Sequence, residues 1–207
     1  MHLKIGSKMQ ASGWIDEDNL LKECLSGNTR AQKQLYDRYS RKMYGVCLRY
    51  APDQAMAEDF LQEGFIRIFM KLKSFRSQGS LEGWMRRIMV NTTLEILRKK
   101  DVFKNSVELS QSNLLINDTT EPESDANDQD DPDVMHISTE TLTRVLSEMP
   151  QGFRTVFNLY AVDQYTHKEI GGMLGISEGT SKSQYARARS WLKRKLTETK
   201  KVSNARK

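Results

Sequence analysis

Apolar residues recur along this chain at intervals of three and four, the spacing of one helix face, in two blocks separated by a strongly polar stretch. In the first block Leu35, Tyr39, Met43, Val46 and Tyr50 form one stripe. Leu61, Phe65, Ile68, Phe69 and Leu72 form a second, and Leu81, Trp84, Ile88, Leu94 and Leu97 a third. A short helix over 16–25 precedes them, ended by Ser26-Gly27-Asn28, and Asn28 can cap its successor. Pro52-Asp53 restarts the chain before the second stripe, and Ser80 can cap the helix that follows a loop at 74–79. Four helices without strand-like alternation predict an all-α bundle.

The second block resumes near Ile137. Leu142, Val145, Leu146 and Met149 share a face, and Pro150 separates them from a helix holding Phe153, Val156, Phe157 and Tyr160. Next comes the hairpin at 166–196. Thr166 and Glu169 have capping-box spacing, each side chain satisfying a free backbone N–H at a helix start. Gly175 ends that helix, because glycine accepts the left-handed conformation, and Ile176 turns back onto the core. Ser177 caps the next helix, which carries Lys182, Arg187, Arg189, Lys193, Arg194 and Lys195. Two helices joined this way, the second cationic, predict a helix-turn-helix whose second helix can enter a major groove. Gly171 and Gly172 lie inside the first of the pair, where each costs about 1 kcal/mol relative to alanine. Close packing against the second helix accounts for one of them better than for two.

Charge changes this picture more than composition does. The 207 residues carry a net charge of +5, but from Lys182 to the end there are ten Lys or Arg and one acid, Glu198. Between Asn105 and Asp133 there are nine acids and two prolines, and the only apolar patch is Leu114-Leu115-Ile116. That segment cannot bury enough apolar area to offset its ordering entropy, so it reads as a flexible acidic linker. The acids Asp125, Asp128, Asp130, Asp131 and Asp133 miss the EF-hand pattern and have no glycine for its turn. The expected organisation is therefore a tail at 1–15, a helical domain at 16–103, a linker at 104–136, a helix-turn-helix domain at 137–198 and a basic tail at 199–207.

Candidate chemistry adds little. Cys24 and Cys47 sit among apolar residues without His or Cys at metal-ligand spacing, which predicts buried thiols and a reducing compartment. His2, His136 and His167 are scattered, and no Ser or Cys lies in a nucleophile motif. The segment 175–183 lacks P-loop spacing and a preceding strand. No catalytic, cofactor or metal site is expected, and the chain reads as a non-enzyme. No apolar run approaches the roughly 20 residues of a membrane helix, and the start lacks a signal-peptide apolar segment, so a cytoplasmic protein is expected.

Three stretches, in this order, resemble the sigma-70 family of RNA polymerase sigma factors, extracytoplasmic-function group. Residues 57–65, Ala-Glu-Asp-Phe-Leu-Gln-Glu-Gly-Phe, are similar to region 2.2. Trp84-Met85-Arg86-Arg87-Ile88 through Asn91 resemble regions 2.3 and 2.4, and 170–189 resembles region 4.2. Ser181 departs from the pattern, standing where the family most often has valine. The resemblance implies an alternative sigma factor that directs promoter recognition, melting and initiation. Its partners would be core RNA polymerase (the clamp of the largest subunit and the flap of the second), promoter DNA and an anti-sigma factor, without direct membrane insertion.

The same resemblance assigns residues. Asp59, Gln62 and Glu63 share a face outside the apolar stripe; composition alone favours a solvated face, whereas the resemblance makes it a polymerase contact. Trp84, Arg86, Arg87, Asn91, Arg98 and Lys99 become the minus-10 surface, with the 74–79 loop and Asn91 reading an unstacked base and the cations holding phosphate. Trp84 is open to two readings, core or stacking platform, and Arg98 to Lys100 also complement the helix dipole. Lys182, Ser183, Ala186 and Arg187 share an exposed face for the minus-35 element, with Arg189 beside it on phosphate. By analogy the linker threads the polymerase cleft. A stand-alone helix-turn-helix regulator is the alternative, and a nuclease a third class lacking a clustered acid or His site.

Overall fold

The computed structural model describes residues 16–99 and 139–204, and within them every regular element is helical. The tail at 1–15, the linker at 104–136 with its acidic cluster and apolar patch, and the chain end at 205–207 lie outside the described residues. In the N-terminal domain α1 (Glu17–Leu25), α2 (Thr29–Tyr50), α3 (Gln54–Lys71) and α4 (Leu81–Lys99) pack together, with a 3-10 turn, Leu72–Ser74, after α3. The C-terminal domain holds α5 (Thr139–Glu148), α6 (Gln151–Phe157), a π-helical turn (Asn158–Val162), α7 (His167–Leu174) and α8 (Glu178–Asn204).

The capping residues read from the sequence set the helix starts. Asn28 Oδ1 accepts from Arg30 N and Ala31 N, Asp53 Oδ1 from Met56 N, and Ser80 Oγ from Gly83 N. Each pairs backbone donors that a helix start leaves orphaned. The α2 stripe of Leu35, Tyr39, Met43, Val46 and Tyr50 is buried throughout.

The expected stripes of α3 and α4 are buried at Phe65, Ile68, Leu72, Leu81, Leu94 and Leu97, and shift to a neighbouring position elsewhere. Phe60, Ala57 and Gly64 are buried on α3, while Leu61 and Phe69 are only half-buried. On α4 the buried residues are Leu81, Met85, Met89, Val90, Thr92, Thr93, Leu94 and Leu97, and Trp84 and Ile88 lie at the margin. The cause is close approach of the two helices. A Cβ on Gly64 would stand 2.1 Å from Met89 Sδ, so the glycine admits the methionine and rotates Met85 and Met89 inward. Both cysteines are buried thiols, and burial pushes Cys47 up to about 12.

In the C-terminal domain α8 runs through Asn204, past the end at 198 expected for this domain, because its last turns are polar and carry no apolar signal. Met149, Phe153 and Ala188 form a small core bordered by Leu146, Phe157, Trp191 and Leu192. The larger buried cluster of the N-terminal domain continues into Val156, Leu159, Ile170 and Leu174.

Candidate nucleic-acid interface

The hairpin forms as its sequence dictates. Thr166 Oγ1 accepts from Glu169 N while Glu169 Oε2 accepts from Thr166 N, a complete capping box. Gly175 takes φ 71° and ψ 32°, and Gly175 N and Ile176 N both donate to Gly171 O. Ser177 Oγ then accepts from Thr180 N at 2.9 Å and starts α8. Of the two glycines inside α7, Gly171 faces the turn, where a Cβ would meet Ile176 O at 2.8 Å; Gly172 faces open space.

On α8 the buried side consists of Ser181, Gln184, Ala188 and Leu196. Lys182, Ala186, Arg187 and Arg189 are exposed, and Ser183 is half-buried with its hydroxyl donated to Thr180 O. Lys182 pairs with Glu178 at 2.9 Å, so any other acceptor has to displace that carboxylate. Ser181 is fully buried and meets His167 Nδ1 at 3.0 Å. A polar contact thus seats this helix where an apolar side chain is usual. His167 also stacks on Tyr160, with ring centroids 4.2 Å apart, and Tyr160 leans on Tyr185.

That seat titrates. Burial lowers the His167 pKa and Lys182 lowers it further, against Glu178, which raises it. Above the ordinary value of 6.5 both folded and unfolded imidazoles are neutral and no penalty exists. As pH falls through that value the unfolded chain takes up the proton first, so stability is lost on acidification. The melting temperature of the C-terminal domain is expected to fall between about pH 7 and about pH 5.5, and His167→Asn to flatten that slope.

On α4, Arg87, Asn91, Arg98 and Lys99 are exposed and Trp84 and Arg86 are half-buried. Trp84 rests against Phe75, centroids 5.4 Å apart, so it anchors the 74–79 loop while leaving part of its ring open. The tryptophan thus belongs to the margin of the core and is not fully buried. The cations are not all free. Lys99 pairs with Glu95 at 2.8 Å, and Arg67 of α3 bridges Glu95 and Glu63. Arg67 first, then Lys99, hold the Glu95 carboxyl down to about 2.

The expected α3 set, Asp59, Gln62 and Glu63, shares one face, although Glu63 is tied to Arg67 at 2.9 Å. Sequence reasoning missed that Ile66 and Met70 extend this face, 47% and 77% exposed. Their spacing from Asp59 and Glu63, at i+7, marks them as the same helix side. An acidic rim running into exposed apolar side chains suits a protein partner better than DNA. Among the described residues no group of three or more His, Cys, Asp or Glu could hold a metal ion.

Known sequences match the chain over both domains. The family model described as sigma-70 region 2 matches residues 35–102, and sigma-70 region 4 matches 139–192. The factor SigW of Bacillus subtilis is 29% identical over 183 residues, covering 85% of this chain and 94% of that protein. SigM of the same organism is 28% identical over 160 residues, covering 77% and 91%. A solved sigma factor RpoE, in complex with the anti-sigma factor NepR from Bartonella quintana, is 17% identical with a TM-score of 0.47, covering 80% of this chain and 96% of that one. Two sigma regions in the family's order, with a helix-turn-helix built as region 4 requires, place the chain in the sigma-70 family. Within that family it belongs to the extracytoplasmic-function group of alternative sigma factors.

Proposed function

We propose that this chain binds core RNA polymerase and carries it to promoters, with residues 16–103 contacting polymerase and the minus-10 element and 137–198 contacting the minus-35 element. The observation that carries the reading is the division of labour between faces. One helix, α3, offers Asp59, Gln62, Ile66 and Met70 to a protein, while α4 and α8 offer cations. The polymerase surfaces concerned are the clamp of the largest subunit and the flap of the second. Asn91 and the part-open Trp84 hold an unstacked base beside Arg87 and Arg98, since single strands are bound by ring platforms next to cations. An anti-sigma factor belongs to the same reading, as does a cytoplasmic location; among the described residues no helix is long and apolar enough to cross a membrane. The work is binding and positioning, without a reaction of its own.

Run-off transcription with core polymerase on a library of minus-35 sequences tests this. The wild-type chain is expected to yield promoter-specific transcripts. Arg187→Ala is expected to redistribute them, losing about 1 to 3 kcal/mol of discrimination at one base position. No transcript above core polymerase alone would mean a stand-alone helix-turn-helix regulator, which binds DNA specifically without polymerase. Uniform weakening on all sequences would make Arg187 a phosphate contact.

A further inference from the structure

The chain carries its sulfur in two cysteines and ten methionines, and the fold treats these side chains unequally. Cys24 and Cys47 are buried thiols, and burial raises the pKa of both, Cys47 to about 12, so neither offers the thiolate that reacts with oxidants. Met43, Met85, Met89 and Met149 lie in the two cores at 2% exposure or less, and Met56 and Met173 are half-buried against the larger one. Met70 stands apart. At 77% exposed it presents the one open thioether among the described residues.

Its position gives that exposure a consequence. Met70 lies in the last turn of α3, one turn beyond Ile66, on the side that Asp59 and Glu63 begin. Ile66 is also exposed, so the two residues form the apolar end of a face whose other end is acidic. Methionine suits such a surface because its side chain is unbranched and polarizable. The same sulfur is open to peroxides, which transfer one oxygen atom to it. The sulfur lone pair attacks a peroxide oxygen, the O–O bond breaks as the S–O bond forms, and the departing hydroxide takes the hydroxyl proton and leaves as water. Sulfur loses two electrons and the peroxide gains them. The product, methionine sulfoxide, is polar, and a dithiol reverses the step, its sulfurs joining in a disulfide as the oxygen leaves as water.

We propose that Met70 is a reversible oxidation site and that its sulfoxide weakens the polymerase-binding face of α3. The assignment of that face rests on the function proposed above; the selective exposure of Met70 does not. In the free chain the added oxygen projects into water and the fold is indifferent to it. Under a partner seated on Ile66 and Met70 the same oxygen is enclosed in a contact made for a thioether, and an enclosed acceptor without a donor costs binding. Oxidation of Met85 or Met89 acts differently. It disturbs the close packing at Gly64, so a melting curve separates a core lesion from a surface switch.

Full-length protein is treated with hydrogen peroxide, the oxidised residues are mapped by peptide mass, and the same samples are titrated against labelled core polymerase. Sulfoxide is expected at Met70 ahead of every other methionine within 16–99 and 139–204, with an unchanged melting temperature. Apparent affinity is expected to fall about five- to a hundred-fold and to recover on treatment with methionine sulfoxide reductases. Met70→Leu has no sulfur there to oxidise, so its affinity after peroxide relative to its own value before stays near one, whatever that starting value. Met70→Gln places a permanent amide acceptor at the site and is expected to bind as weakly as the oxidised wild type, with or without peroxide. Wild-type affinity that does not follow the Met70 sulfoxide fraction, or an equal loss in Met70→Leu, overturns the inference and leaves the proposed function standing. A wild-type chain that fails to bind core polymerase before any peroxide is added overturns the proposed function, and this inference with it.

Discussion

Phe153→Ala is expected to unfold the C-terminal domain at temperatures where the N-terminal domain still holds. Phe153 is 1% exposed, and its own cluster contains just two other buried residues, Met149 and Ala188. Truncating a buried phenylalanine costs about 3 to 5 kcal/mol, through lost burial and the cavity left behind. A domain of this size has a total stability of about 3 to 9 kcal/mol at 0.05 to 0.15 kcal/mol per residue. The loss is thus comparable with the whole. Native-state hydrogen exchange would report it as lost protection in α6 and α8 with protection retained in α2 and α3. Equal loss in both domains would show that they unfold as one unit.

The second large effect comes from a methyl group. Gly171→Ala is expected to destabilise the helix-turn-helix by about 1 to 3 kcal/mol, the usual cost of overpacking, even though alanine favours helix. The added Cβ meets Ile176 O at 2.8 Å and Glu178 N at 3.5 Å, and neither backbone atom can swing aside as a side-chain end could. The turn must shift, and α8 with it. Gly172→Ala, one residue on, meets nothing within 4 Å and is expected to stabilise by up to about 1 kcal/mol. Thermal melts of the pair give opposite signs; a melting temperature raised by both would show that the turn relaxes freely.

Much of this was legible in the sequence, for identifiable reasons. Caps and helix stops are local chemistry, so Asn28, Asp53, Ser80, Thr166, Gly175 and Ser177 could each be read from a few neighbours. The α2 stripe was legible because it is a single unbroken arc. In α3 and α4 apolar residues occupy adjacent positions, such as Phe60 with Leu61 and Trp84 with Met85, and periodicity alone cannot choose between them. The choice is made by Gly64 against Met89, a contact 25 residues apart that no local pattern encodes. Of the site, the exposed cations of α8 followed from spacing, whereas the partners of Lys182, Lys99 and Glu63 did not. The domain contact was invisible for the same reason: Arg49, Arg154 and Asp163 are residue types normally found in water, and over a hundred residues separate most of the pairs they form.

The π-helical turn at Asn158–Val162 has one more consequence. Its hydrogen bond from Asp163 N to Asn158 O spans five residues, so the chain carries one residue more than an α-helix would use over the same rise. In an α-helix each residue turns the chain by about 100°. Had this segment kept the α-helical register, everything after it would leave at a different azimuth, and Asp163 with Arg187 would point elsewhere. The compass bearing of α8, the helix proposed to read DNA, is thus set by a single surplus residue some twenty positions upstream of Lys182.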